Sequence, residues 1–290
     1  MKILVTGGTG FIGRHLIKEL IELGHEVVVL SNEDAKEKPE IVTYIKGDIR
    51  DAHDARKAIA DCEIALHLAA IVDTRGTNDD EVYAVNFLGA KNIFEVAKAK
   101  NAKVIFTSTA AVYGNAQNLP NKETDECKPI SQYGKSKLRA ERYLQSLMPD
   151  QHYIVRMFNV YGPNGHSFIN TLCNRIPNFQ EVVIYGNGMQ TRDFIYVSDA
   201  VNAILFGLKH TGLYNVGTDQ DYAAIKVVEM IHNITRCKPD IKFTTPNKND
   251  IARSRADITK IRALGWEPSI TLEEGIKLVL ESTGWKPVFV

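Results

Sequence analysis

The sequence predicts an α/β fold: a doubly wound parallel sheet with a smaller C-terminal α/β lobe. Three observations predict it. Short apolar runs alternate with segments of helical period through the first half of the chain. A glycine-rich turn separates the first such run from the first helix. The alternation then stops after about residue 160. Alternating β and α units of this length close into a parallel sheet through right-handed crossovers.

Residues 2–6 (KILVT) read as a buried strand, because a strand covered on both faces is apolar at every position. Residues 11–23 carry apolar groups at 12, 16, 20 and 23, a helical period, and Gly24 ends that helix. Strands follow at 26–30, 42–46, 63–68, 103–108 and 152–158, with helices at about 52–60, 86–100 and 134–147 between them. Beyond residue 160, turn signals at Gly162-Pro163-Asn164-Gly165 and Gly186-Asn187-Gly188 break the pattern. The expected division is residues 1–160 for the sheet domain, with 190–216 returning to it, and 161–290 for a lobe covering the carboxyl ends of the strands. Open α/β sheets bind their ligands at those ends.

Composition narrows the function classes. The 290 residues contain 35 basic and 35 acidic side chains, so no excess positive charge steers the chain to nucleic acid or to a membrane surface. No apolar run reaches the ~18 residues of a membrane span. Cys62, Cys127, Cys173 and Cys237 are far apart and form no CxxC pair, which disfavours zinc and suits free thiols in a reducing cytoplasm. The expected location is cytoplasmic.

The turn Thr6-Gly7-Gly8-Thr9-Gly10-Phe11-Ile12-Gly13 fits G-x-G-x-x-G between a strand and a helix. Glycines there allow a tight turn and close backbone approach, and the helix N-terminus offers free N–H groups to a pyrophosphate. This is the fingerprint of a Rossmann-type dinucleotide site. The acidic residue expected at the end of the second strand, for a ribose 2′-hydroxyl, is replaced by Ser31. Serine would not repel a 2′-phosphate, and Lys36 and Lys38 are near in sequence, but no arginine stands beside Ser31. NAD is the expected cofactor, with NADP as the alternative.

Tyr133 and Lys137 lie four apart on the helix predicted at 134–147, on one face. An ammonium beside a phenol, with a positively charged nicotinamide, lowers the phenol pKa and makes it a base. A surface Tyr and Lys on an amphipathic helix would give the same spacing. What raises the first reading is Ser108-Thr109 at the carboxyl end of the fifth strand, where a hydroxyl can bond the reacting oxygen.

These motifs, with GDIRD at 47–51, LHLAA at 66–70, VNFLGAKNIFEVA at 85–97, STAAVYG at 108–114 and YGKSK at 133–137, resemble the extended short-chain dehydrogenase/reductase superfamily. Specifically, they resemble its NAD-dependent nucleotide-sugar epimerase/dehydratase family, in the UDP-glucose 4-epimerase-like branch. The resemblance implies adenine contacts at Asp48 and Ile49. It implies cofactor contacts at Ala69, Ala70, Asn86 and Ser108. Thr109 matches the catalytic Ser/Thr, Tyr133 the base, and Lys137 its partner, which also holds the nicotinamide ribose. Asn159 in RMFNVYGP and Arg192 in RDFIYVSD match diphosphate-binding positions, and an arginine fork suits phosphate oxygens. Ser254 in DIARSRAD matches a position that gates sugar size. A second family arginine is replaced by Asn247, beside Lys248, and Arg253 or Arg255 could substitute for it.

The family's 4,6-dehydratases carry Asp-Glu after the catalytic Ser/Thr, and its decarboxylases a Glu in the same stretch. Here the pair is Ala110-Ala111. The resemblance therefore implies a 4-epimerase acting on a nucleotide-diphosphate sugar, as a homodimer paired through helices at about 86–100 and 134–147. An NADPH-dependent reductase of a 4-keto-6-deoxy sugar nucleotide is the alternative, and a non-catalytic dinucleotide sensor a more distant one.

Overall fold

The structure is a computed structural model that describes residues 1–33, 39–73, 76–246 and 250–286. In chain order its elements begin β1 (Lys2–Thr6), α1 (Phe11–Glu22), β2 (Glu26–Ser31), β3 (Val42–Lys46), α2 (Ala52–Ile59) and β4 (Ile64–His67). They continue α3 (Asp79–Tyr83), α4 (Ala90–Ala99), β5 (Lys103–Thr109), α5 (Gln132–Leu147), β6 (His152–Met157) and β7 (Asn159–Tyr161). Next come α6 (Phe168–Arg175), β8 (Val182–Tyr185), β9 (Thr191–Arg192), β10 (Phe194–Tyr196), α7 (Val197–Phe206) and β11 (Gly212–Val216). The last are β12 (Tyr222–Ala223), α8 (Ala224–Thr235), β13 (Ile241–Thr244), α9 (Thr259–Arg262) and α10 (Leu272–Ser282).

These elements form two compact units. The first comprises residues 1–114, 127–156 and 201–214; the second comprises 115–126, 157–200 and 215–290. The first unit is built on a seven-stranded sheet in the order β11-β6-β5-β4-β1-β2-β3. The pairs β1–β2, β2–β3, β1–β4 and β4–β5 are parallel. The order reverses between β1 and β4, so the crevice at their carboxyl ends is the topological switch point. Ile3, Leu4 and Val5 are fully buried, as a strand covered on both faces requires. Helices α2, α4 and α5 cover one face through Ala55, Ala58, Ile93, Phe94, Ala140 and Leu144.

Two elements differ from the sequence expectation. The helix expected over 86–100 begins at Asp79, seven residues early, capped by Asn78 and with three acidic residues in its first turn. A π turn, Ala84–Gly89, joins α3 to α4. It shifts the buried face by one residue and places the polar Asn86 inside, so an apolar period does not reveal it. The second difference is β11, an edge strand with the pattern GLYNV whose inner asparagine interrupts the apolar run. No helix of the described residues is long and apolar enough to cross a membrane.

The second unit has three short ladders, β7–β10 and β8–β13 parallel and β9–β12 antiparallel. Two buried carboxylates hold its loops. Asp193 accepts from Thr218 N (2.8 Å), Thr218 Oγ1 (2.7 Å), Asp219 N (3.1 Å) and Ala256 N (3.1 Å). Asp199 accepts from Ser269 N, Ser269 Oγ and Ile270 N. Backbone groups in a loop need such partners when they leave water.

Candidate active site

The turn after β1 is closed so tightly that side chains are excluded. Gly7 has φ +72°, and a Cβ there would lie 2.7 Å from Ala69 N. A Cβ on Gly13 would lie 2.2 Å from Gly7 O. Gly10 N donates to Gly7 O at 3.1 Å, and Gly10 precedes α1 without any side-chain cap. The N–H groups of Phe11, Ile12 and Gly13 therefore open the helix with no intrahelical acceptor, an arrangement suited to an anion. Thr6 ties the turn to β4: its Oγ1 accepts from Ala69 N (3.3 Å) and bonds His67 Nδ1 (2.7 Å).

Ser31 ends β2 beside this turn. Its Oγ accepts from Glu33 N (3.0 Å) and lies 3.3 Å from Thr9 Oγ1. Asp34, Lys36 and Lys38 lie outside the described residues. Asp48 is held by a forked contact from Arg50, with NH2 at 2.6 Å, and the Arg50 guanidinium keeps its carboxyl below the usual range. Ile49 is buried against the cluster that contains Phe87. Ala69 and Ala70 follow β4 half-buried. Asn86 is fully buried; its Oδ1 accepts from Ile71 N (2.8 Å) and its Nδ2 donates to Ile71 O (2.9 Å). Asn86 thus fixes the backbone just after Ala69-Ala70.

The catalytic candidates come together at the end of β5 and the start of α5. Ser131 caps α5 by accepting from Gly134 N (3.2 Å). Thr109 Oγ1 accepts from Ala111 N (3.2 Å), starting the 3-10 turn Ala110–Val112, and also hydrogen-bonds the Tyr133 side chain. Burial raises the Tyr133 phenol pKa and the bond to Thr109 lowers it. Lys137 is 1% exposed, with Nζ 4.3 Å from the Phe106 ring centroid. Burial pulls its pKa down to about 7, opposed by Glu141. Ser108 Oγ is buried without a hydrogen-bond partner among the described residues.

Sequence reasoning missed three groups here. His67 is completely buried between Thr6, Phe94 and Phe106, and burial, with Lys137 adding, lowers its pKa to about 3. Glu141 and Arg156 form a buried ion pair. The signal for Glu141 was its position one turn beyond Lys137 on the same helix face.

In the second unit, Arg192 pairs through NH2 with Asp250, and its NH1 donates to Thr191 O (2.8 Å). Asn159 Nδ2 donates to Asp193 O (3.1 Å). Ser254 is buried, and its N donates to Thr191 O (3.2 Å). A groove of about 670 Å³ is lined by Tyr185, Met189, Asp250 and Arg253. Asn247 and Lys248 lie outside the described residues. Arg253 pairs with Asp221 at 3.7 Å and Arg255 with Asp219 at 3.7 Å.

The sequence matches the NAD dependent epimerase/dehydratase family over residues 3–217. The chain belongs to this family. It is therefore an NAD-dependent enzyme with chemistry of the oxidoreductase type. It is 34% identical over 295 residues to the putative UDP-glucose 4-epimerase of Methanocaldococcus jannaschii, covering 96% of this chain and 97% of that one. It is 31% identical to UDP-glucuronic acid decarboxylase 1 of Arabidopsis thaliana, covering 95% of this chain and 68% of the relative. Among solved structures it resembles UDP-glucose 4-epimerase of Thermotoga maritima with UDP-glucose. There the TM-score is 0.92 and the identity 31%, over 98% of this chain and 99% of that one.

Proposed function

We propose that the chain is a UDP-sugar 4-epimerase that works through a transient 4-keto sugar. One observation carries the reading: Thr109 hydrogen-bonds Tyr133, and the residues directly after Thr109 are alanines. Elimination of water needs an acid and a base in that stretch, and Ala110-Ala111 provide neither. The choice of UDP rests on the relatives.

The residues fit NAD. At Gly7 and Gly13 the turn closes so tightly on backbone that no side chain fits, as close approach of a pyrophosphate requires, and Ser108 Oγ lacks a partner among the described residues. Gly7, Gly10, Phe11, Ile12 and Gly13 would hold the pyrophosphate and Ser31 the adenosine ribose. Asp48 and Ile49 would flank the adenine. Ala69, Ala70, Asn86 and Ser108 would line the nicotinamide side, and Tyr133 and Lys137 its ribose. When bound, NAD supplies a reversible acceptor for the hydride of the sugar C4. Tyr133, as phenolate, takes the C4 hydroxyl proton and later returns it. Thr109 bonds the same oxygen. Asn159, Arg192 and Ser254 would bind the sugar nucleotide, with the Arg192 fork on its diphosphate.

The test is incubation with UDP-glucose, UDP-galactose, their N-acetylated forms and UDP-glucuronic acid. Products are identified by NMR while nicotinamide absorbance is followed. Interconversion of 4-epimers without net cofactor turnover is expected. Release of carbon dioxide, or stoichiometric consumption of NADPH, would replace the reading with a decarboxylase or a reductase. Ser31, which presents a hydroxyl where NAD enzymes place a carboxylate, favours the reductase as second reading.

A homodimer through α4 and α5 belongs to the same proposal. Leu88 is 43% exposed beside α4, and Arg139 stacks openly on Tyr83 and Phe87. Light scattering of the eluted protein should give twice the monomer mass.

A further inference from the structure

Glu141 stands one helical turn beyond Lys137 on α5 and has no exposed surface. A carboxylate taken wholly out of water has to be paired. Its partner is Arg156 on β6, also buried. Arg156 Nε donates to Glu141 Oε1 (3.1 Å) and Oε2 (3.2 Å), and NH2 donates to Oε2 (2.7 Å). The remaining arm, NH1, donates to the Tyr113 hydroxyl at 2.9 Å. Tyr113 closes the 3-10 turn that Thr109 opens. One ionic knot therefore joins the helix of Tyr133 and Lys137, the turn of Thr109, and the sheet.

A pair of this kind is a poor way to gain stability, because well-packed apolar residues of the same volume do as well or better. Its placement suggests another use. Lys137 is buried among apolar groups, over the Phe106 ring, where an ammonium loses its proton easily. The titratable groups that bear on it are His67 and Glu141. From β4 comes His67, bonded to Thr6 and buried. Arg156 of β6 holds Glu141, and Tyr113 of the 3-10 turn accepts from Arg156. Cys127, in the loop before α5, lies within hydrogen-bond reach of Arg156. On α5 itself stand Tyr133 and Glu141. Glu141 supplies the negative charge within this set.

We propose that Glu141, locked by Arg156 and Tyr113, is a positioning residue of the reaction: it is the buried counter-charge that keeps Lys137 protonated, and its lock sets α5 against the Thr109 turn. The inference rests on Tyr133 and Lys137 being the catalytic pair. Glu141 raises the Lys137 pKa against the downward pull of burial. Neutralising it lets Lys137 lose its proton at lower pH. A unit charge on the next helical turn, at an effective dielectric near 20, is worth on the order of one to two pH units.

The test compares E141Q, E141D and the double variant E141L/R156M in the full chain. Two readouts are used: the pH dependence of kcat, and NMR titration of isotope-labelled lysine, with Lys137 assigned through K137M. E141Q is expected to move the alkaline limb and the Lys137 titration down together by about one to two units. E141D is expected to restore both. E141L/R156M removes both buried charges and should melt close to wild type. In it the Lys137 titration is expected to stay displaced in part: apolar packing does not replace the Glu141 charge, while loss of the more distant Arg156 charge offsets some of the shift. If the double variant regains stability and the wild-type Lys137 titration together, Glu141 is structural and the proposal fails. A single variant that does not fold leaves the double variant to decide. The lysine titration does not need turnover, so a wild type without epimerase activity would defeat the functional reading while the role of Glu141 is still measured.

Discussion

Thr109→Val removes one hydroxyl and keeps the shape of the side chain. In the structure that hydroxyl does two things. It accepts from Ala111 N at 3.2 Å, and it bonds the Tyr133 phenol, opposing the upward push of burial on the phenol pKa. A hydrogen bond to a charged group is worth about 1.5–3 kcal/mol, so stabilisation of the phenolate by Thr109 amounts to about 10- to 150-fold in kcat. The direction in pH follows. The active form of Tyr133 is the phenolate, and loss of the bond raises its pKa. The acid limb of kcat therefore moves to higher pH, by about one to two units. KM should change little, because the interaction strengthens as charge develops. The fold should lose only about 1 kcal/mol for the unpaired Ala111 N–H. Thr109→Ser should recover both the rate and the limb. The assay is kcat and KM for a UDP-hexose across pH, with a thermal melt of each variant. A Thr109→Val enzyme whose kcat stays within about three-fold of wild type and whose acid limb stays in place would refute the reasoning.

Gly13→Ala places a methyl 2.2 Å from Gly7 O, so the protein should purify without NAD and bind it at least about 100-fold more weakly by calorimetry. His67 should dominate sensitivity to acid. Its folded pKa of about 3 lies below the unfolded value of 6.5, so its contribution is complete above pH 6.5 and is lost as pH falls towards 3. His67→Asn should flatten the fall in stability across that window, which approaches about 1.4 kcal/mol per pH unit, as read from denaturant midpoints. Arg192→Met should raise KM for UDP-sugars by about 10- to 100-fold while kcat falls much less, since a diphosphate grip is used equally in ground and transition states.

Much of this could be read before any coordinates. The strands β1, β2, β4, β5 and β6 announce themselves because each has an apolar run buried on both faces, whereas the edge strand β3 buries only Val42; the glycine turn is legible because no other residue fits where it folds back beside β4. Tyr133 and Lys137 are legible through their spacing only together with Ser108-Thr109 at the end of the fifth strand. What stayed hidden has physical reasons. The start of the helical segment at Asp79 stayed hidden because a π turn with the polar Asn86 inside breaks the apolar period ahead of residue 90. Glu141 and Arg156 look like surface charges until the fold pairs them; their sequence separation of 15 carries no periodicity. Asp193 and Asp199 act through loop N–H groups that belong to distant stretches, and a linear reading has no means of joining them.

The interleaving of the two units bears on how the chain is made. Its sheet ends on β11, residues 212–216, which pairs with β6. A ribosome must therefore release more than two hundred residues before the sheet has its seventh strand, and until then β6 offers an open edge to any neighbour. Contacts so distant in sequence also slow folding. The nascent protein thus passes through an adhesive interval between the release of β6 and that of β11, and split or shortened versions ending before residue 212 should aggregate rather than fold.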